Sequence, residues 1–158
     1  MEQSSSLEQS LQIWEHNQNL FLEYLKNMNS DQLHRIPEHF NNNIFWNIAH
    51  VLTTRMLLTY GLAGHPIPID SYWIEDYRKG TKPKGEASAD RQAELSKLFP
   101  QSLEQLKKDL KSPDAFAQFS SYTTSTNFQL NNIRQAIAFS VIHDGIHLGS
   151  ILALRKFV

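Results

Sequence analysis

Apolar residues recur every three or four positions in four separate stretches of this chain, which is the spacing of one face of an α-helix. These stretches predict helices over residues 7–28, 44–62 and 89–110. A fourth helix is predicted to begin at Asn131 or Asn132 and to continue to about residue 156. Four helices of this length predict an all-α fold, most simply a four-helix bundle.

Local signals support the predicted helix ends. Ser5 followed by Glu8 predicts a capping box for the first helix, and Asn132 is a suitable N-cap for the last. Any asparagine of the run 41–43 could cap the second helix. Pro100 lies inside the third helix and is expected to kink it or to split it in two.

The long connection between the second and third helices, residues 65–88, loses the helical spacing. Its prolines and glycines argue against regular structure. It also contains large side chains that a freely solvated linker would not need: Tyr72, Trp73, Ile74 and Tyr77. We therefore predict a connection that packs over the bundle, and long connections in compact domains are often functional. Residues 29–43 are interpreted as a linker, and the Ser/Thr-rich residues 120–127 as loop or short extended structure.

Composition narrows the class of protein. The 158 residues fit one domain, 1–158, and 41% apolar with 20% charged residues is typical of a folded globular chain. A formal net charge of −1 argues against nucleic acid or an anionic membrane as partner, and no apolar run in the sequence suggests a membrane span or a leader. The absence of cysteine excludes disulfides and thiolate chemistry and fits a cytoplasmic location. Any bound metal must therefore have nitrogen and oxygen ligands.

His143 and His147 are the main candidates for chemistry. Residues four apart in a helix lie on the same face, so both imidazoles can reach one metal ion. His50, on a stripe of the second helix with Asn47 and Thr54, is a third candidate. The alternative is that all three are hydrogen-bonded core histidines. The remaining histidines are predicted to be solvent-exposed: His16, His34, His39 and His65.

Other residues near these positions admit two interpretations each. Asp144 replaces the glutamate of an H-E-x-x-H motif and either orients a ligand or lies on the surface. Asn47 either contacts the site or is solvated. Trp46, Trp73 and Tyr122 either wall a pocket or pack in the core, and core packing is the expected role of aromatic residues.

These residues, in this order, resemble the DinB-like (DinB/YfiT) four-helix-bundle superfamily. The resemblance rests on Trp46-Asn47-Ile48-Ala49-His50 and on His143-x-x-x-His147 followed by Gly149. It implies a bundle with a long connection between helices 2 and 3, one divalent metal on the three histidines, and a homodimer. Ser150 departs from the pattern, because many relatives have glutamine there.

The resemblance implies a metal-dependent enzyme, either a hydrolase or a transferase that uses a small thiol, acting on a small-molecule substrate. Two alternatives remain at this stage: a non-catalytic metal-binding or stress-associated protein, and a structural or interaction bundle without metal. Imidazole binds zinc, nickel, copper and iron, and we expect zinc or nickel ahead of iron. No catalytic residue is identified by the sequence.

Overall fold

The computed structural model describes residues 6–112 and 114–158. Within these residues the helices are α1 (Ser6–Asn27), α2 (Ser30–His34), α3 (Ile44–Met56), α4 (Ser71–Tyr77), α5 (Ala89–Asp109) and α6 (Ile133–Leu154). A π-helical turn, Leu57–Gly61, continues α3, and β1 (Tyr122–Thr123) pairs antiparallel with β2 (Gln129–Leu130). The all-α prediction is confirmed.

The four long helices form the bundle. α1 and α3 each contact both α5 and α6, so α1 lies diagonally opposite α3 and α5 lies opposite α6. Their inward faces share one apolar core, to which α1 contributes Trp14 and Phe21 and α5 contributes Phe99. The rings of Phe21 and Phe99 stack with centroids 5.9 Å apart. This arrangement places α3 and α6, which carry the three candidate histidines, side by side.

The predicted helix ends agree closely with the observed ones. Asn43 is the N-cap of α3 and accepts a hydrogen bond from the Trp46 backbone N–H at 2.7 Å. Asn132 caps α6, as expected. α5 runs without a break through Pro100, so the alternative of two separate helices is wrong. The proposed cap at Ser5 lies outside the described residues.

Two short helices were not expected. α2 begins immediately after α1 because Asn29 and Gln32 form a capping box, and it is too short for a hydrophobic period to be visible. α4 lies inside the connection that was predicted to lack regular structure, between the prolines that flank it. Trp73 and Tyr77 of α4 are buried, which confirms that the connection packs over the bundle.

α6 is apolar on its outer as well as its inner face. It is the one helix in residues 6–112 and 114–158 that is long and apolar enough to cross a membrane by length and composition. In the fold it packs against α1 and α3 and carries the fully buried Asp144, as a bundle helix does. Its outward face nevertheless exposes three large apolar side chains: Ile142, Ile146 and Leu152.

Candidate metal centre

The fold brings His50 of α3 together with His143 and His147 of α6. One ring nitrogen from each lies within 4.8 Å of the other two. The ring centroids are 4.5 Å apart for His143 and His147, 4.8 Å for His50 and His147, and 5.2 Å for His50 and His143. The predicted grouping of these three residues is therefore present in the structure.

Surrounding groups fix the orientation of the His50 ring. Its Nδ1 lies 2.6 Å from the backbone carbonyl oxygen of Tyr77, which can only accept a hydrogen bond. Nδ1 must therefore carry the hydrogen, and Nε2 carries the lone pair, which faces the Thr54 hydroxyl at 3.3 Å. Trp46 stacks on one face of the His50 ring, with centroids 4.6 Å apart and planes 10° apart, and the Trp46 Nε1–H donates to Thr81 Oγ1.

A second hydrogen bond orients His147. Its Nδ1 lies 2.8 Å from Oδ1 of Asn47. The Asn47 amide nitrogen donates to the Asn43 carbonyl at 2.7 Å, which directs Oδ1 towards the imidazole. His147 Nδ1 is therefore the donor, and Nε2 again carries the lone pair. Asn47 thus contacts the site instead of being solvated.

His143 tests whether the cluster suits a metal. Its Nδ1 is buried and has no hydrogen-bond partner among the described residues. Burying a polar atom without a partner is costly, and a metal ion would satisfy such an atom. Three imidazole nitrogens are a typical donor set for zinc and similar divalent ions. The residues present therefore fit a metal.

Burial keeps the three imidazoles uncharged. It lowers the pKa of His143 to about 2, helped by His147, His50 and Arg55, and it lowers the pKa of His147 to about 3, helped by His50. The pKa of His50 is also lowered by burial, against the hydrogen bond to Tyr77. Neutral imidazole is the form that binds a metal, so the site needs no deprotonation at neutral pH.

Asp144 pairs with Arg55 of α3. Both side chains are almost completely buried, so the interpretation of Asp144 as a surface residue is wrong. The two Asp144 oxygens accept from Arg55 Nε at 3.2 Å and Nη2 at 2.5 Å, and Asn17 donates at 3.4 Å. Arg55 Nη2 also donates to the Trp14 carbonyl at 3.2 Å. This network ties α6 to α1 and α3 directly beside His143.

A cavity of about 510 Å³ opens beside the histidine cluster. Its walls are mainly apolar and come from the π-helical turn, from the residue that follows this turn and from α6: Leu57, Leu58, Leu62, Phe139 and Ile146. Its polar lining comes from other segments: Thr54 near His50, Lys79 just after α4, and Tyr122, Thr124 and Ser125 of the β1–β2 hairpin. A small molecule in this cavity would contact all three imidazoles.

The remaining candidate residues, Trp73, Tyr122 and Ser150, lie in different environments. Trp73 packs in the core, as expected, and donates from Nε1 to Glu94 at 3.1 Å. Tyr122 lines the cavity, so the expectation of core packing is wrong for it. Ser150 and Asn47 line a second cavity of about 560 Å³, and the Ser150 hydroxyl donates to the Ile146 carbonyl.

Of the histidines predicted to be exposed, one is not. His16, His39 and His65 are exposed, as expected. His34 is buried, with its ring 4.9 Å from that of Phe45 and its Nδ1 bonded to the Ser30 carbonyl. The short helix α2 turns this side chain inward, and α2 was not visible in the sequence pattern.

Arg55 and Lys79 were missed by the sequence analysis. Arg55 is the single charged residue of the apolar stretch 44–62, and Asp144 is the single Asp, Glu, Lys or Arg between residues 135 and 154. One lone charge of each sign in two apolar helices is a signal for a buried pair. Lys79 follows an unpredicted helix, so its position over the cavity had no sequence signal.

An all-α bundle with one buried and two half-buried imidazoles clustered beside an open cavity defines a class of helical proteins with a potential metal centre. Comparison with protein families places the chain within that class. The family model described as the DinB superfamily matches residues 13–151, so the chain belongs to the DinB superfamily. The suspected resemblance is thereby confirmed. None of the curated proteins with which the chain was compared matches it.

Proposed function

We propose that this protein binds one divalent metal ion through His50, His143 and His147, and that it is a metal-dependent enzyme acting on a small molecule in the cytoplasm. The observation that carries the proposal is the unpartnered, buried Nδ1 of His143 beside two imidazoles whose Nδ1 hydrogens are bonded, so that the lone pair of each lies on Nε2. Zinc or nickel is the expected ion, ahead of iron.

Each neighbouring residue has a part in holding the ligands. Tyr77 and Asn47 accept the Nδ1 hydrogens of His50 and His147, which fixes the tautomer and the ring orientation of both. Trp46 covers the far face of His50. The buried pair of Arg55 and Asp144 adds no net charge, so the three imidazoles leave the +2 charge of an ion uncompensated.

The chemistry favours a transferase that uses a small thiol over a hydrolase. An ion held by three neutral imidazoles would lower the pKa of a bound water or thiol. Of the described residues that line the cavity, none is a carboxylate that could take a proton from water. A thiol ionises far more readily than water and needs no such base, because its free pKa is about 8.5.

Metal analysis of protein purified without a histidine tag tests the site. We expect about one ion per chain, and a large loss of metal from His143→Ala and His147→Ala. His16→Ala is the matched control, since His16 is exposed on α1. Substoichiometric metal that these substitutions do not change would overturn the proposal.

Activity assays then separate the candidate functions. A transferase would join a low-molecular-weight thiol to an electrophile and lose this activity on chelation. A hydrolase would cleave esters or amides without added thiol. If neither reaction is found in the metal-loaded protein, the non-catalytic metal-binding function is favoured instead.

We also propose that the protein is a homodimer in which α6 contributes to the interface. Its outward face exposes Ile142, Ile146 and Leu152, and the neighbouring α1 exposes Ile13 and Leu20. Exposed apolar faces of this kind mark protein–protein contacts.

We expect Ile142→Asp to give a monomer, as measured by light scattering. Ile36 is exposed elsewhere on the protein, so Ile36→Asp should leave the dimer intact. A monomeric wild-type protein at micromolar concentration would refute the dimer.

A further inference from the structure

The charge that lines the cavity beside the histidine cluster is of one sign only. Among the described residues that line it, Lys79 is the one with a full charge at neutral pH, and none is acidic. The nearest carboxylate in sequence to the histidines, Asp144, is buried against Arg55 and does not line the cavity. With the metal of the proposed function in place, the cavity would hold two positive centres and no negative one.

Lys79 is held close to the histidine cluster by the chain itself. It lies two residues after Tyr77, whose backbone carbonyl accepts the hydrogen bond from His50 at 2.6 Å. The next residue, Gly80, has a φ of +91°, a conformation that favours glycine and turns the chain at this point. The position of Lys79 is therefore tied to the position of a candidate metal ligand.

Lys79 also has no competing partner. Two other basic residues, Lys84 and Arg91, both pair with Asp76, at 2.7 Å and 3.2 Å. Lys79 makes no ion pair within residues 6–112 and 114–158. An exposed lysine that lines a mainly apolar cavity and has no carboxylate to neutralise it is suited to an anionic ligand.

We propose that the cavity takes a small organic anion with an apolar body, whose anionic group pairs with Lys79 while its other end reaches the histidine cluster. The apolar body would contact Leu57, Leu62 and Phe139, and the hydroxyl of the exposed Ser125 in the hairpin offers a hydrogen bond. This inference rests on the proposed function for the role of the histidines. The inference goes beyond the proposed function because it names the charge and the polarity of the substrate class.

The test compares ω-mercaptoalkanoates with ω-mercaptoalkanols of the same chain length, from propyl to octyl. The thiol is common to both series, so only the carboxylate distinguishes them. Binding is measured by calorimetry, and in cobalt-loaded protein also by the thiolate-to-cobalt absorption band. We expect the carboxylate to bind about three- to fivefold more tightly at the best chain length, as for an exposed ion pair, and this preference to disappear at about half-molar salt.

Lys79→Gln should abolish the preference without changing the metal content. Lys82→Gln is the matched control, because Lys82 is an exposed lysine of the same segment that does not line the cavity. Equal affinity for the two series at every chain length would overturn the inference. The inference would also be overturned if Lys79→Gln and Lys82→Gln lost the preference for the carboxylate to the same extent. A preference for the carboxylate that depends on Lys79 in protein that binds no metal would overturn the metal site and leave this inference intact.

Discussion

Single hydrogen bonds decide which nitrogen of His50 and of His147 carries the lone pair that can bind a metal. Asn47 illustrates this most clearly, because its amide nitrogen is held by the Asn43 carbonyl and its oxygen is thereby turned to His147. A histidine ligand with its second nitrogen bonded in this way has a fixed tautomer and loses little freedom when it binds a metal. Asn47 is therefore as much a part of the site as the histidines.

Asn47→Ala should weaken zinc binding by roughly 10- to 100-fold, because His147 would lose its acceptor and its fixed orientation. Competition with a chromophoric chelator measures the change. Ser140→Ala is the control, since Ser140 is a buried polar residue of α6 whose hydroxyl bonds only to the Ala136 carbonyl in its own helix. Equal zinc affinity in the wild type and Asn47→Ala would show that Asn47 does not orient the ligand.

At the scale of the helices, one buried ion pair fixes the position of α6 relative to α3. Arg55 and Asp144 satisfy each other, and Asn17 and the Trp14 carbonyl complete their hydrogen bonds from α1. The Arg55 guanidinium also lies 4.5 Å from the Trp14 ring centroid, in a cation–π contact. Because Asp144 follows His143 directly, the ion pair with Arg55 sets the height and rotation of the face of α6 that carries His143 and His147.

Asp144→Ala should lower the free energy of unfolding by about 3–5 kcal/mol, because it leaves the Arg55 charge buried and uncompensated. Urea denaturation of the metal-free protein measures this. The control is Lys107→Ala, which removes the partly exposed pairs with Glu15 and Glu104 and should cost less than about 1 kcal/mol. A similar cost for both substitutions would mean that the buried pair does not hold the helices together.

The long helices could be predicted from the sequence because each buries a regular apolar stripe, as Ile48 and Leu52 of α3 do. The grouping of the histidines followed from their positions on two such helices and from the family resemblance. α4 could not be predicted, because its stability comes from contacts of Trp73 and Tyr77 with distant parts of the bundle. The roles of Tyr77 and Lys79 depend on α4 and were hidden for the same reason.

At the scale of the whole molecule, the buried histidines make folding depend on pH. His143 and His147 have folded pKa values of about 2 and 3, whereas the unfolded chain has values near 6.5. Below pH 6.5 the unfolded chain therefore takes up protons that the folded protein excludes. The free energy of unfolding is therefore highest above pH 6.5 and decreases as the pH falls towards about 3.

The metal-free protein should lose up to about 1.4 kcal/mol of stability per pH unit for each of these two histidines as the pH falls below about 6. Urea midpoints at a series of pH values measure this slope. The double variant His143→Leu and His147→Leu should have a shallower slope, while His16→Gln should keep that of the wild type. Identical slopes in all three proteins would contradict burial of neutral imidazoles.

The stacking of Trp46 on His50 also gives the protein an optical label of its own. All three tryptophans are buried in the core, and Trp46 is the one whose indole lies face to face with a candidate ligand, at a centroid distance of 4.6 Å. Any event that changes the charge or the electronic state of that imidazole changes the surroundings of the excited indole. Events at the histidine cluster should therefore be observable in solution by intrinsic fluorescence, without an added dye or a substrate.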